Sequence, residues 1–137
     1  MNQYAVNHLS EIDTLNKKNG NNYSEGFFIY KNSFNKHYLL KLHQCFFWVK
    51  VKAILEVGFF VANSKSDFKN AIGQLKKLAF LMGCNEILFQ VSTNSKMYEF
   101  LQEIANPKES WLVGYLPFED SIDMNQLEFT YADLDTF

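Results

Sequence analysis

The sequence contains no arginine. Its 13 basic side chains are all lysine, and 15 aspartate and glutamate side chains give the 137-residue chain a net charge of −2. The guanidinium fork that binds phosphate or carboxylate through two parallel hydrogen bonds is therefore missing. A net charge this close to zero gives no reason to expect a nucleic-acid partner. Any anion site must use lysine, backbone N–H groups or a helix N-terminus.

Cysteine and long apolar runs are scarce as well. Cys45 and Cys84 show no CxxC spacing, and two cysteines do not make a disulfide framework. The stretch NQYAVNHLSEID after the first methionine lacks the basic and apolar regions of a signal peptide. No apolar run approaches the ~18–20 residues of a membrane span. We therefore expect a soluble, cytoplasmic protein with no membrane partner.

Apolar and aromatic residues are abundant, at 47% and 17% of the chain. This is enough for a sizeable core in one compact domain, and it argues against disorder. The stretch GFFIY at 26–30 predicts a short strand. Residues 37–62 are too long for one strand, and they predict two strands that break between Gln44 and Lys52. Gly58 marks either a bulge or a close approach of another group to the backbone.

The clearest element is a helix over about 67–82. Its apolar residues recur at i+3 and i+4 and form one continuous stripe. Ser66 suits its N-cap and Gly83 its C-terminal stop. A strand at 85–92, a helix at 94–104 and strands at 111–118 and 126–131 follow. We therefore predict an α/β (α+β) fold: a mixed, mainly antiparallel sheet with a parallel strand–helix–strand crossover and flanking helices.

The stretch LAFLMGCNEILFQVSTNSKMYEFLQEI resembles the second half of the GNAT superfamily of N-acetyltransferases. In that family a helix ends in Gly, often followed by Cys, a strand follows, and Asn then opens a helix. Here these positions are Gly83, Cys84, the strand to Ser92, and Asn94. The ending LEFTYADLDTF looks like the C-terminus of bacterial GNAT-like proteins. The resemblance divides the chain into an N-terminal helix and loop at 1–22 and a GNAT-like domain at 23–137.

The resemblance implies an acyl-CoA cofactor, acetyl-CoA in the simplest case, with its pyrophosphate at the head of the long helix. The family's helix length, counted back from Gly83, places this loop at residues 63–68, so the implied cofactor-binding residues are Asn63, Lys65 and Ser66, with Asn94 on the next helix. The family glycines are missing, since Ser66 and Phe68 stand where small residues are expected. A solvated loop with a helix cap is the alternative for Lys65 and Ser66.

Two residues are candidates for the catalytic chemistry. Glu56 lies on the strand before the loop, where a general base of the family often lies; the alternative is a solvated face of the strand. Many family members carry a Tyr seven residues after the Asn that opens the next helix, and it protonates the departing CoA thiolate. Leu101 stands at that position, and Tyr98 lies one helical step earlier.

Three further residues raise the question of a metal. His37, His43 and Cys45 lie close together in sequence, and His43 and Cys45 are spaced for one strand face. No fourth ligand or recognisable spacing accompanies them, so we expect no metal site.

Two hypotheses remain open. The first is an acyl-CoA-dependent N-acyltransferase with a degenerate cofactor loop, acting on a small-molecule or protein amine. The second is a non-catalytic GNAT-like module that binds a partner, either a second copy of the chain or an upstream domain. The surplus of aromatic residues would then contribute to an association surface.

Overall fold

The structure of the chain is a computed structural model that describes residues 24–110, 123, 126, 128–134 and 137. The predicted N-terminal helix and loop at 1–22 and the predicted strand at 111–118 lie outside these residues. Within them, no helix is long and apolar enough to cross a bilayer. The elements are α1 (Glu25–Phe34), β1 (His37–Leu42), β2 (Cys45–Val51), β3 (Leu55–Val61), α2 (Lys65–Leu81), β4 (Ile87–Phe89), α3 (Lys96–Leu101) and a 3₁₀ turn (Tyr131–Asp133).

The strands form one mixed sheet in the order β1-β2-β3-β4. The β1–β2 and β2–β3 pairs are antiparallel, and α2 carries the chain from β3 to a parallel β4. The β3–β4 pairing joins Leu55–Val57 to Ile87–Phe89, so β3 runs four residues beyond its last partner in β4. The predicted α+β class, mixed sheet and parallel crossover are confirmed.

The sheet is the middle of three layers. Helix α2 covers one face, where Phe68 stacks on Phe60 with ring centroids 4.6 Å apart. Helix α1 covers the other face, where Phe28 packs on Trp48 at 4.2 Å. The residues after β4 return to this second face as a segment that we call the closing segment (128–134 and Phe137), with Phe137 5.0 Å from Trp48. Burial on both faces explains why β3 is buried at every position.

Gly58 is the extra residue of a β-bulge in β3. Val49 pairs with Val57 and Trp48 pairs with Phe59, so two steps on β3 match one step on β2. The ring of Phe137 lies directly over this glycine, and a Cβ placed there would be 2.3 Å from Cζ of Phe137. Gly58 is therefore both a bulge and a point of close approach, as its position in a strand predicted.

The predicted strand at 26–30 is wrong, because these residues belong to α1. The helix begins after Ser24, whose Oγ accepts a hydrogen bond from the backbone N–H of Phe27 at 3.2 Å. The apolar run divides between two helix faces: Phe28 is buried against Trp48, and Ile29 and Tyr30 are exposed. A run of five apolar residues does not reveal this division.

Residues 37–62 form three strands rather than two. The first break is a two-residue turn at His43 and Gln44, in which His43 has a positive φ of 51°. The second break spans residues 52–54. Neither turn contains glycine or proline, and those are the residues that mark turns in a sequence.

Helix α2 confirms the predicted helix; its last residue is Leu81, and Gly83, which has a φ of 76°, follows the C-cap. Strand β4 and helix α3 are shorter than the predicted 85–92 and 94–104. The predicted strand at 126–131 is wrong. Of its described residues, 126, 128 and 129 are not in a strand, Thr130 forms only an isolated antiparallel bridge with Val91, and Tyr131 begins a 3₁₀ turn. The closing segment therefore covers the sheet face largely with side chains.

We expect Gly58→Ala to destabilise the protein by about 1–3 kcal/mol, because the new methyl group forces the buried Phe137 ring out of its position. The control is Gly73→Ala in the exposed middle of α2, where a Cβ meets no atom within 4 Å. This change should stabilise by about 0.5–1 kcal/mol through helix propensity. Urea unfolding measures both. Equal changes in the free energy of unfolding for the two variants would show that the position of the Phe137 ring does not depend on Gly58.

Candidate functional site

The N-terminus of α2 is capped by side chains of the chain itself. Ser64 is the N-cap; its Oγ accepts a hydrogen bond from the Asp67 N–H at 3.1 Å and donates one to Asp67 Oδ2 at 2.7 Å. The helix thus begins at Lys65, and the predicted N-cap at Ser66 is wrong by two residues. Asp67, three residues after Ser64, therefore bonds the cap hydroxyl twice: its backbone N–H donates to Ser64 Oγ, and its carboxylate accepts from that hydroxyl.

The polar residues implied for the pyrophosphate lie together on the exposed edge of this first turn. Asn63, Lys65 and Ser66 are all exposed. Lys65 Nζ contacts Glu103 Oε1, and both side chains are more than half exposed. The hydrogen bond with Glu103 raises the pKa of Lys65, and the Lys65 ammonium lowers the pKa of Glu103. An exposed pair of this kind contributes little stability, so an anionic ligand could compete for Lys65.

Two features of the same turn oppose an anion. The Asp67 carboxylate is held at the helix N-terminus, where it takes the place a phosphate would favour. Phe68 is 1% exposed and stacks on the neighbouring rings of Phe60 and Phe47. Its backbone N–H is already bonded to the Ser64 carbonyl oxygen at 3.0 Å. The donor groups open to a phosphate therefore come from the exposed edge alone.

Glu56 lies in a buried charged row on the other side of the sheet from α2. The register places His37 opposite Lys50 and Lys50 opposite Glu56, so the three side chains form a line across β1, β2 and β3. Lys50 Nζ is 3.0 Å from Glu56 Oε2, and Lys52 Nζ is 3.5 Å from Oε1. Glu56 is only 5% exposed, which rules out the solvated strand face that was the alternative for this residue.

Burying the charged row of His37, Lys50 and Glu56 is costly in stability. Burial lowers the pKa of Lys50, and its hydrogen bond with the Glu56 carboxylate opposes that shift. Removing two charges from water costs several kcal/mol per ion, and their attraction repays this only with good geometry. An apolar pair would fold as well or better at these positions. Buried ionisable clusters of this kind are candidates for a functional role.

His37 is the least satisfied member of the row. It is 7% exposed, and neither ring nitrogen has a hydrogen-bond partner among the residues that the structure describes. Burial, and then the nearby charges of Lys50 and Lys31, lower the pKa of His37 to about 4. The imidazole is therefore neutral at physiological pH, with one nitrogen able to donate a hydrogen bond and the other able to accept one.

The closing segment lies over this row. Phe137 stacks on His37 with centroids 4.7 Å apart, and Lys50 Nζ is 5.3 Å from the centroid of the same ring. Lys31 Nζ, on α1, donates to the Leu134 carbonyl oxygen at 2.5 Å. The charged row is thus shielded from water by an aromatic ring.

The remaining candidates lie on and before α3. The N-cap of α3 is Ser95, whose Oγ accepts from the Tyr98 N–H at 3.2 Å, so Asn94 stands one residue before the cap and is exposed. Tyr98 is half-buried. Leu101, which stands where the family tyrosine was expected, is buried and belongs to the core.

The structure separates the residues considered for a metal. His43 lies in the exposed β1–β2 turn, whereas Cys45 is fully buried on the α2 side of the sheet. Burial raises the pKa of the Cys45 thiol to about 11, which disfavours the thiolate that binds metals. No group of three His, Cys, Asp or Glu side chains able to hold a metal occurs in the described part of the chain.

Lys50 is the site residue that the sequence did not reveal. Lys50 and Glu56 are charged residues within a strongly apolar run, which is the available signal. Their pairing depends on the β2–β3 register, and that register is set by a turn without glycine or proline.

Comparison with known proteins gives no family for this chain: no protein-family model, no curated protein and no solved structure matches it. The resemblance to the GNAT superfamily therefore remains an expectation from the sequence.

We expect His37 to make the stability of the fold depend on pH between about 6.5 and 4. Its pKa is about 4 in the folded chain and 6.5 when unperturbed, so the unfolded chain binds a proton through this window that the folded chain does not. Stability attributable to His37 is full above about pH 6.5 and falls by about 3 kcal/mol as the pH drops to 4.

His37→Phe should remove this part of the pH dependence, because phenylalanine keeps a ring against Phe137 and Trp48 but does not titrate. Urea unfolding of both proteins at a series of pH values measures the difference, and the carboxylates they share cancel. Parallel stability curves would show that His37 is protonated as readily in the folded chain as in the unfolded one.

Proposed function

We propose that this chain is a GNAT-like domain that transfers an acyl group from acyl-CoA to an amine. The observation that carries the proposal is the parallel β3–α2–β4 unit, in which the N-terminus of α2 follows the carboxyl end of β3. Ligands of open α/β sheets bind at the carboxyl ends of parallel strands, and phosphates favour helix N-termini. This is the position that the family resemblance implies for CoA.

In this proposal the pyrophosphate contacts the exposed edge of α2, at Asn63, Lys65 and Ser66. Glu56 lies five residues before Val61, a separation of roughly 16 Å along the strand. The pantetheine arm of CoA is long enough to cover such a distance. Because Glu56 lies on the sheet face opposite α2, one acyl-CoA molecule would have to pass between β3 and β4, beyond Val57 and Phe89 where their pairing ends, to bring its thioester near Glu56.

Glu56 is the proposed base. Acyl-CoA supplies an activated carbonyl carbon, and the amine must be unprotonated to attack it. The Glu56 carboxylate accepts the proton that the amine loses, and Lys50 and Lys52 hold that carboxylate in place. The family resemblance makes Tyr98 the candidate acid for the departing thiolate, although α3 packs on the α2 side of the sheet, through Phe100 against Phe60 and Phe68.

We expect acetyl-CoA to stabilise the protein against urea, by about 2.7 kcal/mol at a hundred times its dissociation constant. Lys65→Glu should abolish this stabilisation, because it places a second negative charge beside Asp67. Lys77→Glu is the matched control, since Lys77 is exposed near the other end of the same helix. No stabilisation at millimolar acetyl-CoA, or equal loss in both variants, would refute cofactor binding at the head of α2.

The chemistry is tested in the same samples by following release of the CoA thiol in the presence of amines. Glu56→Gln should slow release by about a hundred-fold or more while leaving the stabilisation by acetyl-CoA intact. A variant that binds acetyl-CoA and turns over at the wild-type rate would show that Glu56 is not the base.

The alternative is a non-catalytic module that associates through an apolar surface. Two observations favour it: Asp67 closes the helix head, and Phe80 and Leu81 on the last turn of α2 are 81% and 78% exposed. Lys76 and Lys77 flank these two residues on the same surface. Large exposed apolar side chains grouped in this way are typical of association surfaces.

If the chain associates through this surface, its sedimentation coefficient should rise with concentration, and Phe80→Lys should keep it monomeric. Phe34→Lys is the matched control, because Phe34 is a 68% exposed phenylalanine on the opposite side of the sheet. A concentration-independent monomer would refute self-association. Equal loss of association in both variants would show that the α2 surface is not specific.

A further inference from the structure

The ring of Phe137 occupies an enclosed aromatic slot. It is 1% exposed, stacks on His37 with an interplanar angle of 24°, and meets Trp48 edge-on at 83°. Gly58 provides the base of the slot, since the missing side chain leaves room for a flat ring directly on the strand. A planar six-membered ring fits this space in one orientation.

The slot has a polar wall that the Phe137 ring does not use. Lys50 and Glu56 lie beside it as a buried pair, and both ring nitrogens of His37 lack a hydrogen-bond partner within the described residues. Buried polar groups without partners are rare in folded proteins and cost stability. The Phe137 ring stacks on His37 and lies 5.3 Å from Lys50 Nζ, but it cannot form a hydrogen bond with the His37 nitrogens, whereas a ring that carries a polar head group can.

We propose that the acceptor is an arylalkylamine whose ring lies between His37 and Trp48 and whose amino group lies beside Glu56. In the structure, the chain's own Phe137 side chain occupies this aromatic subsite, and the amine takes its place. The assignment of the amine as the acceptor rests on the proposed function. The closing segment then acts as a competitor that the substrate displaces.

The charges around the slot select the kind of amine. Lys31, Lys50 and Lys52 all lower the pKa of His37, and among the described residues Glu56 is the acidic side chain that acts against them. The same positive field would favour the neutral form of an incoming amine, which is the nucleophilic form. It would disfavour a polyamine or any substrate with a second cationic group.

The attachment of the closing segment is compatible with displacement. Thr130 bridges to Val91, Phe129 N–H donates to Ser92 Oγ at 2.8 Å, and Lys31 holds the Leu134 carbonyl oxygen. Removing the Phe137 side chain leaves these contacts in place and empties the slot.

The test is a titration of phenethylamine against the wild-type chain and Phe137→Ala, without CoA, followed by NMR of the Trp48 indole and His37 imidazole. We expect Phe137→Ala to bind about ten-fold or more tightly than wild type, because the cis ring reduces the fraction of open sites. Butylamine and spermidine should bind neither protein detectably. Adding Gly58→Ala to Phe137→Ala should remove binding, because its methyl group fills the ring position.

Equal binding of phenethylamine and butylamine, or binding unaffected by Gly58→Ala, would overturn the proposal. If Phe137→Ala does not fold, the wild-type chain decides: phenethylamine must shift the Phe137 ring resonances towards solvent-exposed values, and no shift at saturating amine refutes displacement. These readouts contain no CoA, so a failure of acetyl-CoA to bind would refute the proposed reaction while leaving the aromatic subsite intact.

Discussion

The buried pair of Lys50 and Glu56 is the interaction on which the arrangement of one sheet face depends. Two charges removed from water must be kept dry and close together, since breaking such a pair leaves an uncompensated buried charge. The register of β2 and β3 brings the partners to 3.0 Å. The Phe137 ring shields them, and it can do so because Gly58 lets the ring lie flat on the bulged strand. The β-bulge, Gly58 and the closing segment therefore act together to keep the Lys50–Glu56 pair away from water.

The N-terminus of α2 differs from this buried face because its polar side chains are exposed. The ion pair between Lys65 and Glu103 lies in water, where such a pair contributes little stability. The fixed element there is the Ser64–Asp67 cap, which supplies the negative charge that a helix N-terminus attracts. A helix capped in this way needs no ligand for its stability. Any anion that binds there does so against Asp67 and chiefly through Lys65.

The sequence predicted what depends on periodicity and missed what depends on register. The apolar stripe of α2 repeats over four turns, so its position was predictable to within two residues. The short run at 26–30 carries no such repeat, and its helix is fixed by the Ser24 cap and by the contact of Phe28 with Trp48. Glu56 was recognisable as a charged residue in an apolar strand. Lys50 carries the same signal, but its pairing with Glu56 was not predictable, because cross-strand pairing depends on a bulge and on turns without glycine or proline.

The contrast between the two ends of the candidate site determines where selectivity can arise. At α2 the contacts are few, exposed and exchangeable, so they can contribute affinity for a phosphate but little discrimination between acyl-CoA molecules. At β3 the groups are buried and held on three strands, which is the preorganisation that makes polar contacts selective. A ligand that enters must satisfy His37 and leave the Lys50–Glu56 pair intact, since an unpaired charge there would cost more than most single contacts return. In the proposed function, recognition would therefore be concentrated on the sheet face that Phe137 covers, and the N-terminus of α2 would act as an anchor for the phosphate.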